Sequence, residues 1–426
     1  MAIRLLAVGD MHLGRRPGRL PTWLASQADF LTPIAAWERC VDYALDQDID
    51  LVVLAGDLVD QEDNFFEAYR PLEQGIKRLA NAGIDVIGVS GNHDVKVLPR
   101  LAEQLSHFEL LGQNGQWQTR SFSKGTEQVT IHGWSFPKPV VGDSPLAGHR
   151  FETQPGVNIG LLHCDLDQVQ SSYAPVSSQS LNDSGLDAWA LGHIHNPSDL
   201  SPEQPRGYLG SLSGLHIGEQ GPRGPWLIEI DHGQIQRFEQ WTIAPLHWTA
   251  LSVGVESLDD PEYAQDLLIG ELKQLDSMWR EHDLPPVAVG LRLRLTGQSA
   301  LGPQIIDTLK ANLGENLATD EVAHVFIESV IDDTTAPIDL KYWASQPNHV
   351  GQLASSLLVL QESTDHPKRQ RLIAQAREQL NLVATDARWR LNATIDWDDE
   401  RVCDYLHRSG HRLLSELIEQ LDESRP

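Results

Sequence analysis

The chain has 426 residues, of which 41% are apolar, so it is long enough to bury a sizeable core in one large domain or two ordinary domains. Its 33 basic and 60 acidic residues give a formal net charge of -27 at pH 7, which argues against a protein that holds DNA on its own, because nucleic-acid binding usually needs a basic face. A metal-dependent nuclease is not excluded, since bound cations invert the local field and a partner subunit can supply the groove.

The first ten residues, MAIRLLAVGD, lack the long apolar region and the cleavage site of a signal peptide. No stretch approaches the roughly 18 uninterrupted apolar residues that a membrane span requires. Cys40, Cys164 and Cys403 are odd in number and have no CxxC spacing, so neither a disulfide framework nor a zinc-thiolate site is expected. We therefore predict a soluble cytoplasmic protein that does not interact with a membrane.

The first half of the sequence repeats one unit, in which an apolar, buried-strand pattern ends in polar residues able to bind metal. The runs are IRLLAVGD (3–10), IDLVVLAGD (49–57), IDVIGVSGNHD (84–94), VNIGLLHCD (157–165) and LDAWALGHIH (186–195). Between them, apolar residues at helical spacing predict helices over 30–46 and 72–82. Strands that alternate with helices indicate a mainly parallel sheet, in which chemistry gathers beyond the carboxyl ends of the strands.

The second half of the sequence predicts two further parts. After a Pro- and Gly-rich stretch near residue 200 and closing antiparallel strands, the pattern runs through a strand from 246, a helix to about 282, a strand over 287–295, a helix over 303–313 and a strand over 322–331. The predicted domains are a first domain over 1–245, a smaller α/β cap over 246–335 and a helical region over 336–426.

The strand-end clusters supply carboxylates, imidazoles and one amide, without a thiolate. Taken singly, each signal is weak: Asp57 also fits a helix-capping turn, Asn92 to Asp94 a polar turn, and His163 a core histidine with a satisfied hydrogen bond. As an ordered set, each placed directly after a strand pattern, they indicate a metal site. Mixed oxygen and nitrogen ligands suit manganese, iron or zinc more than calcium.

The spacing within the clusters has a physical reason. Residues i and i+2 of an extended strand end point to the same side, so Asp10 with His12, and His193 with His195, can each direct two side chains toward one site. Two divalent cations held roughly 3.5–4 Å apart need a bridging ligand. Asp57 is the candidate for that bridging carboxylate.

The ordered motifs DMH, GDLVD, GNHD, a lone strand-end His and GHIH resemble the calcineurin-like metallophosphoesterases over roughly residues 3–196. The resemblance implies an α/β fold, a β-sandwich flanked by helices in four α/β/β/α layers, and two divalent metal ions, for which we expect manganese with iron or zinc as alternatives. The ligands that it implies for one ion are Asp10, His12, Asp57 and His195, and those for the other ion are Asp57, Asn92, His163 and His193.

The same resemblance assigns a catalytic role to His93, which would face the scissile phosphate and protonate the leaving oxygen as a general acid. Asp60, three residues after the bridging carboxylate, is similar to the phosphatase residue that orients this histidine. In archaeal and eukaryotic relatives of the nuclease branch that position is a histidine.

Within the class, AVGDMHLG, GNHD, GHIH and a C-terminal α/β cap followed by helices resemble the SbcD nucleases and the related YhaO group. Gln61 and Asp94 stand where protein phosphatases carry Arg and usually Glu, which disfavours a phosphoprotein phosphatase. The resemblance therefore implies an exonuclease that hydrolyses phosphodiester bonds at DNA ends in DNA repair. It also implies an SMC-like ATPase partner of the SbcC or YhaN kind, and a homodimer formed through the helix near 30–46.

Two segments keep alternative interpretations. Arg15, Arg16 and Arg19 form a local positive patch that is either a solvated loop or a contact for DNA phosphates. The amphipathic segment 401–422 either completes a helical core or binds the ATPase. Two other functions also stay open: a phosphodiesterase acting on a nucleotide or another small phosphodiester, which the acidic composition suits no worse, and an inactive scaffold, which the complete ligand set disfavours.

Overall fold

The computed structural model describes residues 1–168, 170–311, 315–317, 323–385 and 397–423. The β-branched and leucine-rich runs form strands, as the sequence predicts. The first sheet contains β1 (Ile3–Val8), β2 (Leu51–Ala55), β3 (Asp85–Val89), β4 (Phe108–Leu110), β10 (Trp226–Asp231) and β11 (Gln234–Gln240), in the order β11-β10-β1-β2-β3-β4. Strands β1 to β4 run parallel, and β10 and β11 close the sheet in antiparallel pairing.

A second sheet has the same mixed character. It contains β5 (Gln118–Lys124), β6 (Glu127–Trp134), β7 (Val157–His163), β8 (Ala188–Gly192) and β9 (Arg206–Tyr208), in the order β5-β6-β7-β8-β9. Strand β5 pairs antiparallel with β6, and β6 to β9 run parallel. The carboxyl ends of β7 and β8, which carry the predicted histidines, therefore lie side by side.

The two sheets pack face to face and are covered by helices on their outer faces. Leu5 belongs to the apolar cluster that also contains Ile159 of the second sheet, whereas Leu6 belongs to the cluster under the helices, because successive side chains of a strand point to opposite faces. The covering helices are α2 (Pro33–Asp46), α3 (Phe65–Asn81), α4 (Leu98–Ala102) and α5 (Ser178–Asn182), whereas Leu24 of the short helix α1 (Thr22–Ala25) belongs to an apolar cluster with Leu246 and Trp248. The predicted fold class, sheets flanked by helices, is confirmed.

Helix α3 corrects one prediction, since it begins at Phe65 rather than at residue 72. Pro71 directly precedes the predicted start of the helix, a position where proline is favourable. In the structure the helix begins six residues before Pro71 and continues past it. The added turns bury Ala68 completely, and the indole Nε1 of Trp37 in α2 donates a hydrogen bond to the carbonyl oxygen of Pro71 at 3.1 Å. Tertiary packing thus offsets the hydrogen bond that proline removes.

The second half forms a small sheet and a group of helices. The sheet has the order β12-β13-β14, with β12 (Leu246–Gly254), β13 (Ala288–Gln298) and β14 (His324–Thr335). The helices are α6 (Tyr263–Arg280), α7 (Gly302–Lys310), α8 (Leu340–Ala344), α9 (His349–Leu360), α10 (Pro367–Thr385) and α11 (Asp399–Glu423). This succession of elements confirms the predicted one, although the predicted start of a strand at 322 and the predicted end of a helix at 313 lie outside the described residues.

The chain divides into two units. One unit comprises Met1–Ala250, Ile269–Arg292 and Leu313–Glu328, and the other comprises Leu251–Leu268, Leu293–Asn312 and Ser329–Pro426. The domain boundaries near 245 and 335 stay predictions. Within the described part of the chain, no helix is both long enough and apolar enough to cross a membrane.

Candidate metal centre

The end of β7 and the loops that follow β1, β2, β3 and β8 bring all the predicted ligands to one edge of the paired sheets. Asp10, His12 and Asp57 are 1–2% exposed, and His163, the last residue of β7, is fully buried. The remaining predicted ligands, which are half-buried, are Asn92, His193 and His195. A cluster of polar side chains at this depth needs partners, because burial of an unpaired charge is costly.

Several of these ligands have a backbone conformation that side chains rarely adopt. Asp10 has φ 30°, His12 φ 49°, Asp57 φ 50° and His193 φ 105°. Such left-handed residues occur mainly where the surrounding structure holds them, often at functional sites. Here the N–H of His12 donates to the carbonyl oxygen of Asp57 at 2.9 Å, and the N–H of His193 donates to Oδ1 of Asp10 at 2.9 Å. Gly192, directly before His193, packs closely against the chain at the end of β2. A Cβ at Gly192 would lie only 2.1 Å from the carbonyl oxygen of Ala55, so a larger residue does not fit there.

A first group of donor atoms is formed by Asp10, His12 and His195, whose side-chain ligand atoms lie within 4.8 Å of one another. The Nε2 atoms of His12 and His195 are 2.9 Å apart. Oδ2 of Asp57 lies 3.9 Å from Nε2 of His12. Two imidazoles and two carboxylates therefore surround one pocket, which we call pocket A.

A second group, pocket B, lies on the other side of Asp57. Its ligand atoms come from Asp57, His163 and His193, again within 4.8 Å of one another. Nε2 of His163 lies 3.3 Å from Oδ2 of Asp57, 3.0 Å from Oδ1 of Asn92 and 3.3 Å from Nδ1 of His193. Asp57 is thus the carboxylate that lies between the two pockets, the place from which it would bridge two ions.

The electrostatics of pocket A favour a cation. Burial, together with the charge of Asp57, raises the pKa of Asp10 well above its ordinary value. Burial lowers the pKa of His12, which favours the neutral imidazole that binds metal. Burial would also raise the pKa of Asp57, but the neighbouring His163 and His12 hold it below the usual range. Buried oxygen and neutral nitrogen donors around a shared carboxylate fit divalent manganese, iron or zinc.

His93 lies at the exposed mouth of this edge. Its N–H donates to Oδ1 of Asp57 at 3.0 Å, and its Nδ1 lies 2.9 Å from the carbonyl oxygen of Asp60. Its ring centroid is 5.1 Å from that of His12. The carboxylate of Asp60 instead contacts His12, with Oδ1 3.1 Å from Nδ1. Asp60 therefore contacts His93 through its backbone and His12 through its side chain.

Three acidic residues at the site were not predicted from the sequence. Asp94 is fully buried and accepts from the N–H groups of Leu58 at 2.7 Å and Gly91 at 2.8 Å, which ties together the loops after β2 and β3. Burial, with the charge of Asp57, raises the pKa of Asp94 to about 8. Asp165 and Glu219 contact His193 and His195 at 3.2 and 2.6 Å.

Asp94 lies within a recognised motif and Asp165 shortly after one, so their positions gave a signal. Asp94 completes GNHD, and Asp165 follows His163 by two residues. Glu219 gave none, because it lies in an irregular Pro- and Gly-rich segment.

The predicted positive patch is less positive than the sequence indicates, because each arginine lies beside a carboxylate. Nη1 of Arg15 is 3.9 Å from Oδ1 of Asp60. Nη1 of Arg16 is 3.1 Å from Oδ1 of Asp29, and Arg19 forms an ion pair with Glu328. These acids are distant in sequence, so the pairing became visible only in the structure. A DNA contact by these arginines stays a prediction.

Comparison with known proteins finds a family match over the first half of the chain. The profile of the family described as calcineurin-like phosphoesterase matches residues 3–197. The metallophosphoesterase YhaO of Bacillus subtilis (strain 168) is 30% identical over 210 residues, which cover 47% of this chain and 50% of the relative. The DNA double-strand break repair protein Mre11 of Methanopyrus kandleri is 23% identical over 259 residues, 56% of each protein. The chain thus spans about half the length of these curated relatives.

Among solved structures, a dimetal phosphatase from Danio rerio aligns at 11% identity with a TM-score of 0.36, over 55% of this chain and 96% of its own.

Proposed function

We propose that this chain, whose residues 3–197 match the family described as calcineurin-like phosphoesterase, is a two-metal nuclease that hydrolyses phosphodiester bonds at DNA ends. The observation that carries the proposal is the convergence of every predicted ligand on two adjacent pockets that share Asp57, with His93 at their exposed mouth. The match to a DNA double-strand break repair protein favours DNA as the substrate.

Pocket A would hold one ion through Asp10, His12, Asp57 and His195, and pocket B would hold the second through Asp57, Asn92, His163 and His193. When bound, the ions would neutralise charge on the phosphodiester and activate a water molecule as the nucleophile. We expect manganese, with iron or zinc as alternatives, because each accepts this mixture of oxygen and nitrogen ligands.

His93 would supply the proton that the leaving group needs. The water loses a proton to solvent as its oxygen bonds to phosphorus, the bond to the leaving oxygen breaks, and that oxygen takes a proton from Nε2 of His93. His93 then regains a proton from solvent. Contact of Nδ1 with the carbonyl oxygen of Asp60, at 2.9 Å, leaves Nε2 as the ring nitrogen available to substrate. Asp60 would act as the residue that orients this ring, through its backbone carbonyl.

The test compares wild type with His93→Ala in the presence of manganese, on end-labelled duplex DNA and on bis-para-nitrophenyl phosphate. The control variant is His349→Ala, which removes an exposed histidine from the first position of α9. We expect His93→Ala to lower kcat for DNA by about 10²–10⁴-fold with unchanged metal content, as for loss of a general acid. The loss for bis-para-nitrophenyl phosphate should be smaller, because its nitrophenolate group leaves without a proton, and His349→Ala should leave both rates unchanged.

A second substrate class has an observation in its favour. The formal net charge of -27 and the pairing of Arg15, Arg16 and Arg19 with carboxylates leave little positive charge to attract a long polyanion. Hydrolysis of the small ester, without cutting of DNA, would indicate a phosphodiesterase for a nucleotide or another small substrate. Absence of bound metal would contradict both proposals and favour the scaffold.

Partner binding is proposed from α11. Val402 and Leu414 are buried in the helical core, whereas Tyr405 and Leu413 are 43% and 49% exposed. We propose that the exposed side chains contact an SMC-like ATPase, that the chain forms a homodimer through α2, and that it works in the cytoplasm. Co-elution with such an ATPase should be lost in Leu413→Asp, and light scattering of the isolated chain tests the dimer.

A further inference from the structure

We propose that Glu219 and Asp165 are positioning residues, which fix opposite ring tautomers of His195 and His193 and so control the affinities of two different ions. This inference rests on the proposed function, because it concerns the ligands of the two proposed ions. It assigns a role to two buried or half-buried acids that the proposed reaction itself does not use.

Glu219 is held by contacts on both carboxylate oxygens. It is 3% exposed, and Oε2 accepts from the N–H of Leu215 at 2.7 Å. Its backbone carbonyl accepts from Nε of Arg223 at 3.3 Å, which limits movement of the residue. Oε1 lies 2.6 Å from Nδ1 of His195. Because an ionised carboxylate only accepts hydrogen bonds, Nδ1 of His195 carries the hydrogen and Nε2 keeps its lone pair toward pocket A.

Asp165 contacts the other ring nitrogen of its histidine, Nε2 of His193, and so favours the opposite tautomer. Oδ1 of Asp165 lies 3.2 Å from Nε2 of His193, and its Oδ2 accepts from the hydroxyl of Ser171. The N–H of Asp165 donates to the carbonyl oxygen of Tyr173 at 2.8 Å. Nε2 of His193 therefore carries the hydrogen, and the lone pair is on Nδ1, which lies 3.3 Å from Nε2 of His163 in pocket B.

The other two histidines complete an asymmetry between the pockets. Nδ1 of His12 contacts the carboxylate of Asp60 at 3.1 Å, whereas Nδ1 of His163 contacts the neutral carbonyl oxygen of Ala55 at 3.1 Å. Both imidazoles of pocket A thus have a carboxylate within hydrogen-bond distance, whereas in pocket B His193 has one and the nearest carboxylate oxygen to Nδ1 of His163, Oδ1 of Asp10, is 3.9 Å away. A carboxylate partner makes an imidazole more basic and a stronger ligand, so pocket A should bind its ion more tightly.

Glu219→Gln tests this role because it keeps the size of the side chain and changes its hydrogen-bond chemistry. If the amide NH₂ faces His195, it favours the tautomer with hydrogen on Nε2, which blocks that ligand atom. If the amide oxygen faces His195, the NH₂ group meets the N–H of Leu215, and two donors oppose each other. Either orientation should weaken metal binding at pocket A.

The experiment titrates manganese into the metal-free full chain by calorimetry. Wild type should bind two ions with different affinities. Glu219→Gln should weaken the tighter step by about 10–100-fold, and Asp165→Asn should weaken the other step. Glu127→Gln is the matched control, since Glu127 is also buried, at 7% exposure, and accepts from the N–H of Gly233 at 2.9 Å. It should leave both steps unchanged.

A spectroscopic readout separates positioning from general loss of structure. At one equivalent of manganese per pocket, the wild-type electron paramagnetic resonance spectrum should show two coupled ions, and Glu219→Gln an isolated ion in pocket B. A second measurement uses only the wild-type protein. Nitrogen-15 nuclear magnetic resonance spectra of the zinc-loaded chain with labelled histidines report which ring nitrogen carries the hydrogen. They should show the hydrogen on Nδ1 of His195 and on Nε2 of His193.

The inference is overturned if wild type binds two ions and hydrolyses its substrate while Glu219→Gln keeps both affinities. It is also overturned if His195 and His193 show the same tautomer. In both cases the proposed function stands. A wild-type chain that binds no pair of ions would instead contradict the proposed function itself.

Discussion

The strand-end loops and the C-terminal helices bury opposite kinds of side chain. Asp10, His12 and Asp57 are buried polar residues with left-handed backbone, an arrangement that costs stability. In α9 and α11, Leu357 and Leu414 are buried among apolar neighbours and follow ordinary helix rules. Unfavourable backbone conformations and buried polar groups thus occur at the proposed site, whereas the helices, which only pack together, keep favourable backbone conformations and apolar cores. Substitutions in the two regions should therefore change different measured quantities.

Among the substitutions that compare these two regions, the largest effect is expected from Gly91→Ala in the loop after β3. A Cβ at this position would lie 2.1 Å from Oδ1 of Asp57 and 2.8 Å from its backbone nitrogen, so the carboxylate between the pockets must move. Displacement of a catalytic group by about 1 Å can cost about 10²-fold in rate, and we expect at least that loss in kcat/KM for bis-para-nitrophenyl phosphate, with weaker manganese binding.

Gly142→Ala is the control for this substitution. Among the described residues, nothing lies within 4 Å of the position that a Cβ would take at Gly142. It should retain wild-type kcat/KM. Unchanged activity in Gly91→Ala would show that the loops tolerate displacement and would remove the contrast between the two regions.

The next effect concerns stability rather than chemistry. Leu414→Ala removes a fully buried side chain from the core of the C-terminal helices and should lower the free energy of unfolding of that region by about 2–5 kcal/mol. Leu413→Ala, one residue earlier and 49% exposed, should cost much less. Hydrogen exchange of the amides of α9 and α11 measures both. Manganese affinity should be unchanged in each variant, and a matching loss of metal binding would contradict the separation.

Manganese itself should stabilise one region only. A ligand at 100 times its Kd stabilises the state that binds it by about 2.7 kcal/mol. Because the proposed ligands follow β1, β2, β3, β7 and β8, added manganese should slow hydrogen exchange in those strands and leave exchange in α9 and α11 unchanged. Equal protection of both sets of amides would show that the two regions unfold together.

The sequence predicted the parts of the site that are local in the chain. The proposed ligands lie at or shortly after the ends of five strands, so strand pattern and polar motif could be recognised together, as for Asp10 and His12 after β1. Glu219 could not be found this way, because it contacts His195 across 24 residues of mostly irregular chain. The early start of α3 was missed for a similar reason: Trp37, which stabilises the turn at Pro71, belongs to another helix. Contacts between distant segments decide such details.

The smallest effect separates the two interpretations of the arginine loop. Arg16 and Asp29 form an exposed pair, 3.1 Å apart with side chains 64% and 83% exposed, and such pairs contribute only about 0–1 kcal/mol to stability. Arg16→Ala should therefore leave unfolding almost unchanged. If Arg16 contacts a DNA phosphate, the variant should bind duplex DNA more weakly, and the slope of log affinity against log salt should fall by about 1.

Arg412, exposed and paired with Glu416 at 3.3 Å on α11, provides the matched control, and Arg412→Ala should keep the wild-type slope. An unchanged slope in Arg16→Ala would identify the loop as solvated surface, and the asymmetry between the two regions would then be confined to the buried residues that are proposed as metal ligands.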